Sequence, residues 1–167
     1  MRARQANLLG FIACAALLGY AYYAQFVLHL EPCPLCIFQR IGIFALAVVF
    51  VLATVHDPAT PAARRGYAGM IALAAMVTIG VAARHLYVQH APAGSIPACG
   101  ASLDFMMKIF SLSEVLVKVL TGSGECARVS WRFLGLAMPA WVLLSALGLL
   151  GLGLWGNLRH QRPVLKF

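Results

Sequence analysis

Leu8–Leu30, LLGFIACAALLGYAYYAQFVLHL, runs for 23 residues without a formal charge. A helix needs about 20 mostly apolar residues to cross a hydrocarbon core of ~30 Å. This stretch therefore reads as a membrane span. It is too long for the apolar core of a secretory leader, and no small-x-small cleavage site follows, so a span is expected and not a cleaved leader. Three further apolar blocks follow. Gly66–Ala83 has 18 uncharged residues and Phe133–Leu158 has 26. Ile41–Val55 has only 15, a reach of about 22 Å at ~1.5 Å per residue. It spans only if its helix begins upstream, near Cys33, with Arg40 at the lipid–water boundary. The expected fold is an all-α membrane protein, a four-transmembrane-helix bundle forming one domain over 1–167. Its spans are expected at about 8–30, 36–55, 66–88 and 133–158.

Composition agrees. Of 167 residues 62% are hydrophobic and 11% charged, and mean hydropathy is +0.84. A soluble domain is near half apolar and a quarter charged, so a soluble globule, a disordered chain and a collagen-like repeat are excluded. The net charge of +8 is not a nucleic-acid footprint, because no basic stripe is interleaved with aromatics. The basic residues flank the apolar blocks instead. Arg2 and Arg4, then Arg64 and Arg65, then Arg159, Arg162 and Lys166 fall on one side of four spans. The other side is balanced, with Glu31, Asp104, Glu114 and Glu125 beside Lys108, Lys118, Arg128 and Arg132. The positive-inside rule then places both termini in the cytoplasm (1–7 and 159–167), together with 56–65. Segments 31–35 and 89–132 face outward, into the periplasm of a Gram-negative cell. Within 103–120, Asp104, Lys108, Ser111, Glu114 and Lys118 recur at helical spacing. A short horizontal helix is expected there, lying on the membrane surface or docked on the bundle.

Four of the five cysteines, Cys33, Cys36, Cys99 and Cys126, fall in or at the edge of the two outward segments, and Cys14 lies inside the first block. Orientation rests on charge alone, so this sorting into the oxidising compartment is an independent result. Cys33-Pro34-Leu35-Cys36 is a C-x-x-C whose prolines suit a helix start. A helix beginning near Pro34 puts Cys36 in its first turn, where unpaired N–H groups favour a thiolate. Arg40 shares that helix face four residues on. A bond between Cys99 and Cys126 would close a loop of nearly thirty residues and contribute roughly 3.5 kcal/mol. It reads either as a structural staple or as a second redox pair. A zinc site built from four cysteines needs a second close-set ligand pair, which is missing, so no metal is expected. A thioredoxin-like fold is excluded because no alternation of strands and helices is present. Cys14 reads as a small hydrophobe. Arg84 ends the third block much as Arg40 borders the second. His85 reads as a solvated interfacial histidine, and His90 either so or as a hydrogen-bond donor to a ligand.

Glu31-Pro-Cys-Pro-Leu-Cys-Ile-Phe-Gln-Arg40 resembles the P-C-x-L-C-x3-R segment of the bacterial DsbB disulfide bond formation family. Cys99 with Cys126 resembles that family's second pair, and Phe133-Leu-Gly-Leu-Ala-Met-Pro-Ala-Trp141 its entry to the last span. The resemblance covers about Leu8 to Leu158. It implies an inner-membrane enzyme that reoxidises a periplasmic DsbA-like dithiol oxidase and passes the electrons to membrane quinone, ubiquinone or menaquinone. By the same resemblance Cys99–Cys126 and Cys33–Cys36 are redox disulfides. Cys99 would be attacked by the partner, and Cys126 would then attack Cys33. Cys36 would become the thiolate facing quinone, with Arg40 stabilising it and binding a quinone oxygen. His90 would lie near quinone, and Arg84 is the fourth candidate contact. Two alternatives use the same residues. A vitamin K epoxide reductase-like enzyme would need a C-x-x-C near the end of the last span, yet no cysteine follows Cys126. A non-enzymatic membrane scaffold or small transporter with structural disulfides leaves the Cys36–Arg40 face without a role.

Overall fold

A computed structural model of the chain describes residues 3–92, 108–109, 111, 113–115, 117, 124–127 and 131–159. Four long helices dominate it: α1 (Ala3–Phe26), α2 (Pro34–His56), α3 (Pro61–His90) and, after a short α4 (Gly124–Ala127), α5 (Met138–Leu158). All four are long and apolar enough to cross a membrane. Their starts follow local chemistry. The Thr60 hydroxyl accepts the Ala63 N–H at 3.3 Å, with Pro61 in the first helical turn. Helix α2 starts in the same manner from Cys33, described below, and stops at Asp57, which is left-handed at φ 40°.

The helices form a ring in which α1 packs on α2, α2 on α3, α3 on α5 and α5 on α1. The core holds Cys14, Ile43, Leu46, Phe50, Ile71, Ala75 and Leu149. Its residue sizes are those of a bundle in lipid. Small residues such as Ala6, Ala53, Ala68, Ala82 and Ala146 are buried, while Leu9, Ile12, Phe44, Leu73 and Leu144 face outward. Lipid is as apolar as leucine, so large side chains gain nothing by hiding, and small ones let backbones approach. A methyl group added at Gly10 would lie 2.6 Å from the Phe50 ring, and one at Gly42 would strike the Thr78 hydroxyl. At one end of the bundle Asn7 and Asn157 are buried and exchange amide hydrogen bonds of 3.2 and 2.8 Å, tying α1 to α5.

The last apolar block is not one helix. Arg132–Phe133 (β1) and Leu136–Ala137 (β2) pair antiparallel, with Phe133 opposite Leu136. Leu134 and Gly135 turn between them at φ 51° and 80°, the positive-φ pair of a tight hairpin. The span expected at 133–158 therefore enters through a hairpin, and its helix starts at Met138. The hairpin adds two short strands, which do not alternate with the helices. The expected horizontal helix lies mostly outside the described residues. Of that stretch, Ser111 and Glu114 are joined by bonds from the Ser111 N–H and hydroxyl to the Glu114 carboxylate, both 3.0 Å. Cys99 also lies outside the described residues.

Candidate active site

Cys33 is the N-cap of α2. Its sulfur accepts the Cys36 N–H at 3.4 Å, and Pro34 follows in the first turn. The cap thus brings the two sulfurs to 3.2 Å, with the Cys33 thiol donating to Cys36. Within that first turn the cap takes up the amides next to Cys36: the Cys36 N–H goes to the Cys33 sulfur and the Ile37 N–H to the Cys33 carbonyl at 3.2 Å, so Cys36 stands at the amide-rich start of α2.

Around this pair the structure builds a polar cluster that the sequence reading missed. His85 is not a solvated interfacial residue but is 2% exposed. Its Nε2 lies 3.7 Å from the Cys33 sulfur and its Nδ1 4.0 Å from the Cys36 sulfur. Gln39, also buried, approaches Nδ1 at 3.1 Å through its amide nitrogen. The Cys126 carbonyl lies 3.2 Å from Nε2. A ring protonated on Nε2 satisfies both contacts, since Gln39 donates to Nδ1 and Nε2–H donates to Cys126. The signal for burial was present in the sequence. Ile71, Ala75, Thr78, Ala82, His85 and Val88 follow one stripe of α3 at spacings of three and four, and all are buried.

Cys126, on α4, is buried with Leu35, Val88 and Val115 beside Cys33. Three of the four expected redox cysteines therefore converge. Cys33, Cys36 and His85 also bring one ligand atom each within 4.8 Å of one another, a donor set that a thiophilic cation such as zinc accepts. Among the described residues the ligand set that converges is thus two sulfurs and an imidazole.

On the far side of Cys36 lies a cavity of about 720 Å³ between α1, α2 and α5. Cys36, Gln39 and Arg40 form its polar wall, and Leu17, Ile43 and Leu149 are among its apolar residues. Aromatics edge it. Tyr20 lies 5.8 Å from Trp131, Trp131 stacks on Phe133 at 6.0 Å, and Phe133 lies 5.9 Å from Trp141. The hairpin supplies Phe133, and the Trp141 indole N–H donates to its carbonyl at 3.2 Å. Arg40 donates to the Gln25 side-chain oxygen and, at 3.0 Å, to the Ala21 carbonyl, with its guanidinium 5.4 Å from the Tyr22 ring centre. Those contacts hold a cation in the cavity wall one turn from Cys36. Arg84 lies over Tyr87 at 4.9 Å. His90 is exposed at the end of α3, its Nδ1 2.8 Å from the Leu86 carbonyl. Neither Arg84 nor His90 is among the residues lining the cavity.

The whole bundle has relatives. The family model for disulfide bond formation protein DsbB matches residues 3–156. A disulfide bond formation protein B of Xanthomonas campestris pv. campestris is 46% identical over 156 residues, covering 93% of this chain and 91% of that protein. Proteins of the same name from Xanthomonas axonopodis pv. citri and Chromobacterium violaceum are 50% and 47% identical. They cover 89% and 95% of this chain, and 84% and 95% of their own lengths are covered. With its paired sulfurs at the helix cap and four membrane-crossing helices around them, the chain belongs to the DsbB family of disulfide bond formation proteins.

Proposed function

We propose that this chain is a thiol:quinone oxidoreductase of a bacterial inner membrane, with both termini cytoplasmic and the sulfur cluster at the periplasmic border. Its dithiol donor is a DsbA-like periplasmic oxidase, and its electron acceptor is membrane quinone. The carrying observation is the position of Cys36. The same residue stands in the sulfur cluster and in the wall of an apolar cavity, one helical turn from the Arg40 guanidinium.

The residues divide the work. Cys99 receives the partner's thiolate in a mixed disulfide, and Cys126 leaves as a thiolate. Cys126 attacks Cys33 of the Cys33–Cys36 disulfide, and the electron pair of the broken bond goes to Cys36. Thiol–disulfide exchange of this kind needs a thiolate, an accessible sulfur and a good leaving group. The amides of the α2 N-terminus favour Cys36 as that leaving thiolate.

The cavity suits a flat apolar ring and tail, because apolar side chains and aromatics line most of it, with Cys36 and Arg40 in its α2 wall. When bound, quinone supplies an acceptor for two electrons and two protons. Arg40 would bind one of its oxygens, since a preplaced cation is worth most where negative charge builds in a low-dielectric site. No step falls to Arg84 or His90. Trapping the free thiols in membranes with and without respiratory quinone tests this function. Cys33 and Cys36 should accumulate reduced when quinone is withdrawn. A redox state indifferent to quinone refutes electron transfer.

A further inference from the structure

Helix α4 has four residues, too few to hold its own shape or place. Its position must come from contacts with the bundle. One is apolar: Cys126 is 1% exposed among Leu35, Val88 and Val115. Apolar burial has no direction, so it holds α4 near the bundle without fixing which way the Cys126 backbone faces. A directional contact is the hydrogen bond from His85 Nε2 to the Cys126 carbonyl, 3.2 Å long and buried. On its other side the same ring is held by Gln39 at Nδ1, and it lies against both sulfurs of the C-x-x-C pair. His85 thus joins α2, α3 and α4 at the point where sulfurs are to exchange.

We propose that His85 is a positioning residue for the internal exchange, orienting Cys126 toward Cys33 through the Cys126 carbonyl, with Gln39 keeping the ring's proton on Nε2. This rests on the proposed electron path. The step it serves forms the Cys126–Cys33 sulfur bond and breaks the Cys33–Cys36 bond, leaving the electron pair on Cys36. No outside oxidant enters that step.

The test uses the full chain in detergent, carrying Cys36→Ser and Cys99→Ser so that Cys33 and Cys126 remain near each other. Diamide is added, and the rate of intramolecular Cys33–Cys126 disulfide formation is read by mass after alkylation. Neither quinone nor a partner protein is present, so failure of the quinone reading leaves this measurement untouched, and the reverse also holds. Three substitutions separate the roles of the ring nitrogens. In His85→Gln the amide nitrogen falls near the place of Nε2 and can donate to the Cys126 carbonyl. In His85→Asn it falls near Nδ1 and cannot, and His85→Leu has no donor. One hydrogen bond of about 1–1.5 kcal/mol corresponds to roughly tenfold in rate. His85→Gln is expected within about threefold of the parent, and His85→Asn and His85→Leu slower by roughly tenfold. Should the leucine variant fail to fold, the glutamine and asparagine pair carries the comparison, with thermal unfolding measured for each. Equal rates in the two amide variants, or rescue by asparagine and not glutamine, would overturn the proposal.

Discussion

Replacing Arg40 by alanine tests the cavity side of the mechanism most directly. The guanidinium is held by the Gln25 side chain and the Ala21 carbonyl, both on α1. Its removal costs the bundle little, because Ala21 belongs to a continuous helix and Gln25 lies on a half-buried surface. The cavity loses its cation. A hydrogen bond to a charged group is worth about 1.5–3 kcal/mol, and ~1.4 kcal/mol is tenfold. Loss of one such bond to a quinone oxygen lowers kcat/KM for quinone by roughly 10- to 150-fold. A raised KM is expected from weaker binding, and a lowered kcat from poorer stabilisation of the developing charge and of the Cys36 thiolate. Arg40→Lys should fall between, since one ammonium cannot replace two separate guanidinium nitrogens that reach Gln25 and Ala21 together. The assay is initial rates of quinone reduction over a quinone concentration series, with a reduced dithiol protein as donor. Thermal unfolding is measured alongside. If the alanine variant folds and keeps the parent's quinone KM and kcat, the assignment of Arg40 is wrong.

Other parts of the bundle carry four shorter tests. Leu17→Trp fills the cavity from the α1 side; quinone reduction should fall at least tenfold while diamide still oxidises the Cys33–Cys36 pair, as titration of free thiols will show. Gly42→Ala sets a methyl against the Thr78 hydroxyl and should cost about 1–3 kcal/mol by overpacking, with the double variant Gly42→Ala/Thr78→Ala recovering most of the loss in thermal unfolding. Asn7→Leu leaves the buried Asn157 amide without its reciprocal partner and should cost about 1–3 kcal/mol, whereas Asn7→Leu/Asn157→Leu should be nearly neutral; equal losses would refute the pairing. Zinc added to the dithiol form should inhibit oxidation of Cys33 and Cys36 by joining them with His85, and a chelator should restore the rate; inhibition that survives chelation points to another site.

The four helices were legible because run length against bilayer thickness is a one-dimensional measurement. Cys36 and Arg40 were legible because four residues on a helix is a fixed geometry. What escaped was set by neighbours distant in sequence. Gln25, the Arg40 partner, lies on another helix, and nothing in its own surroundings marks it. The hairpin escaped because Phe133-Leu134-Gly135-Leu136-Ala137 is as apolar as the helix it precedes; only Gly135 hints at a turn, and Leu134 takes a left-handed backbone that its side chain does not announce. His85 escaped for another reason. Its polarity suggested water, while its register with Ala75, Thr78 and Ala82 placed it inside. Register was the better guide, because a helix cannot turn one residue outward without turning its whole stripe. The cavity was not legible at all, since it depends on where α1 and α5 part.

That parting has a physical cause at the opposite end of the bundle. There Gly156 lies against Ala6 so closely that an added methyl would come within 2.5 Å, and the Asn7–Asn157 pair locks the approach. Close approach at that end leaves the helices free to part toward the other. Toward that end Leu17, Tyr20 and Ala21 of α1 face Trp141, Ser145 and Leu149 of α5 across the cavity. Helix α2 closes the gap with its first turns, which places Cys36 at its edge. Gln39 of those turns lines the cavity and also reaches α3, where it bonds to His85, since buried polar groups in a bilayer must find partners. One helix start therefore borders two environments: a hydrogen-bonded cluster around the sulfurs and an apolar cleft. On the proposed path, electrons crossing from one to the other would pass through the Cys36 sulfur, so neither chamber would have to admit the reactants of the other.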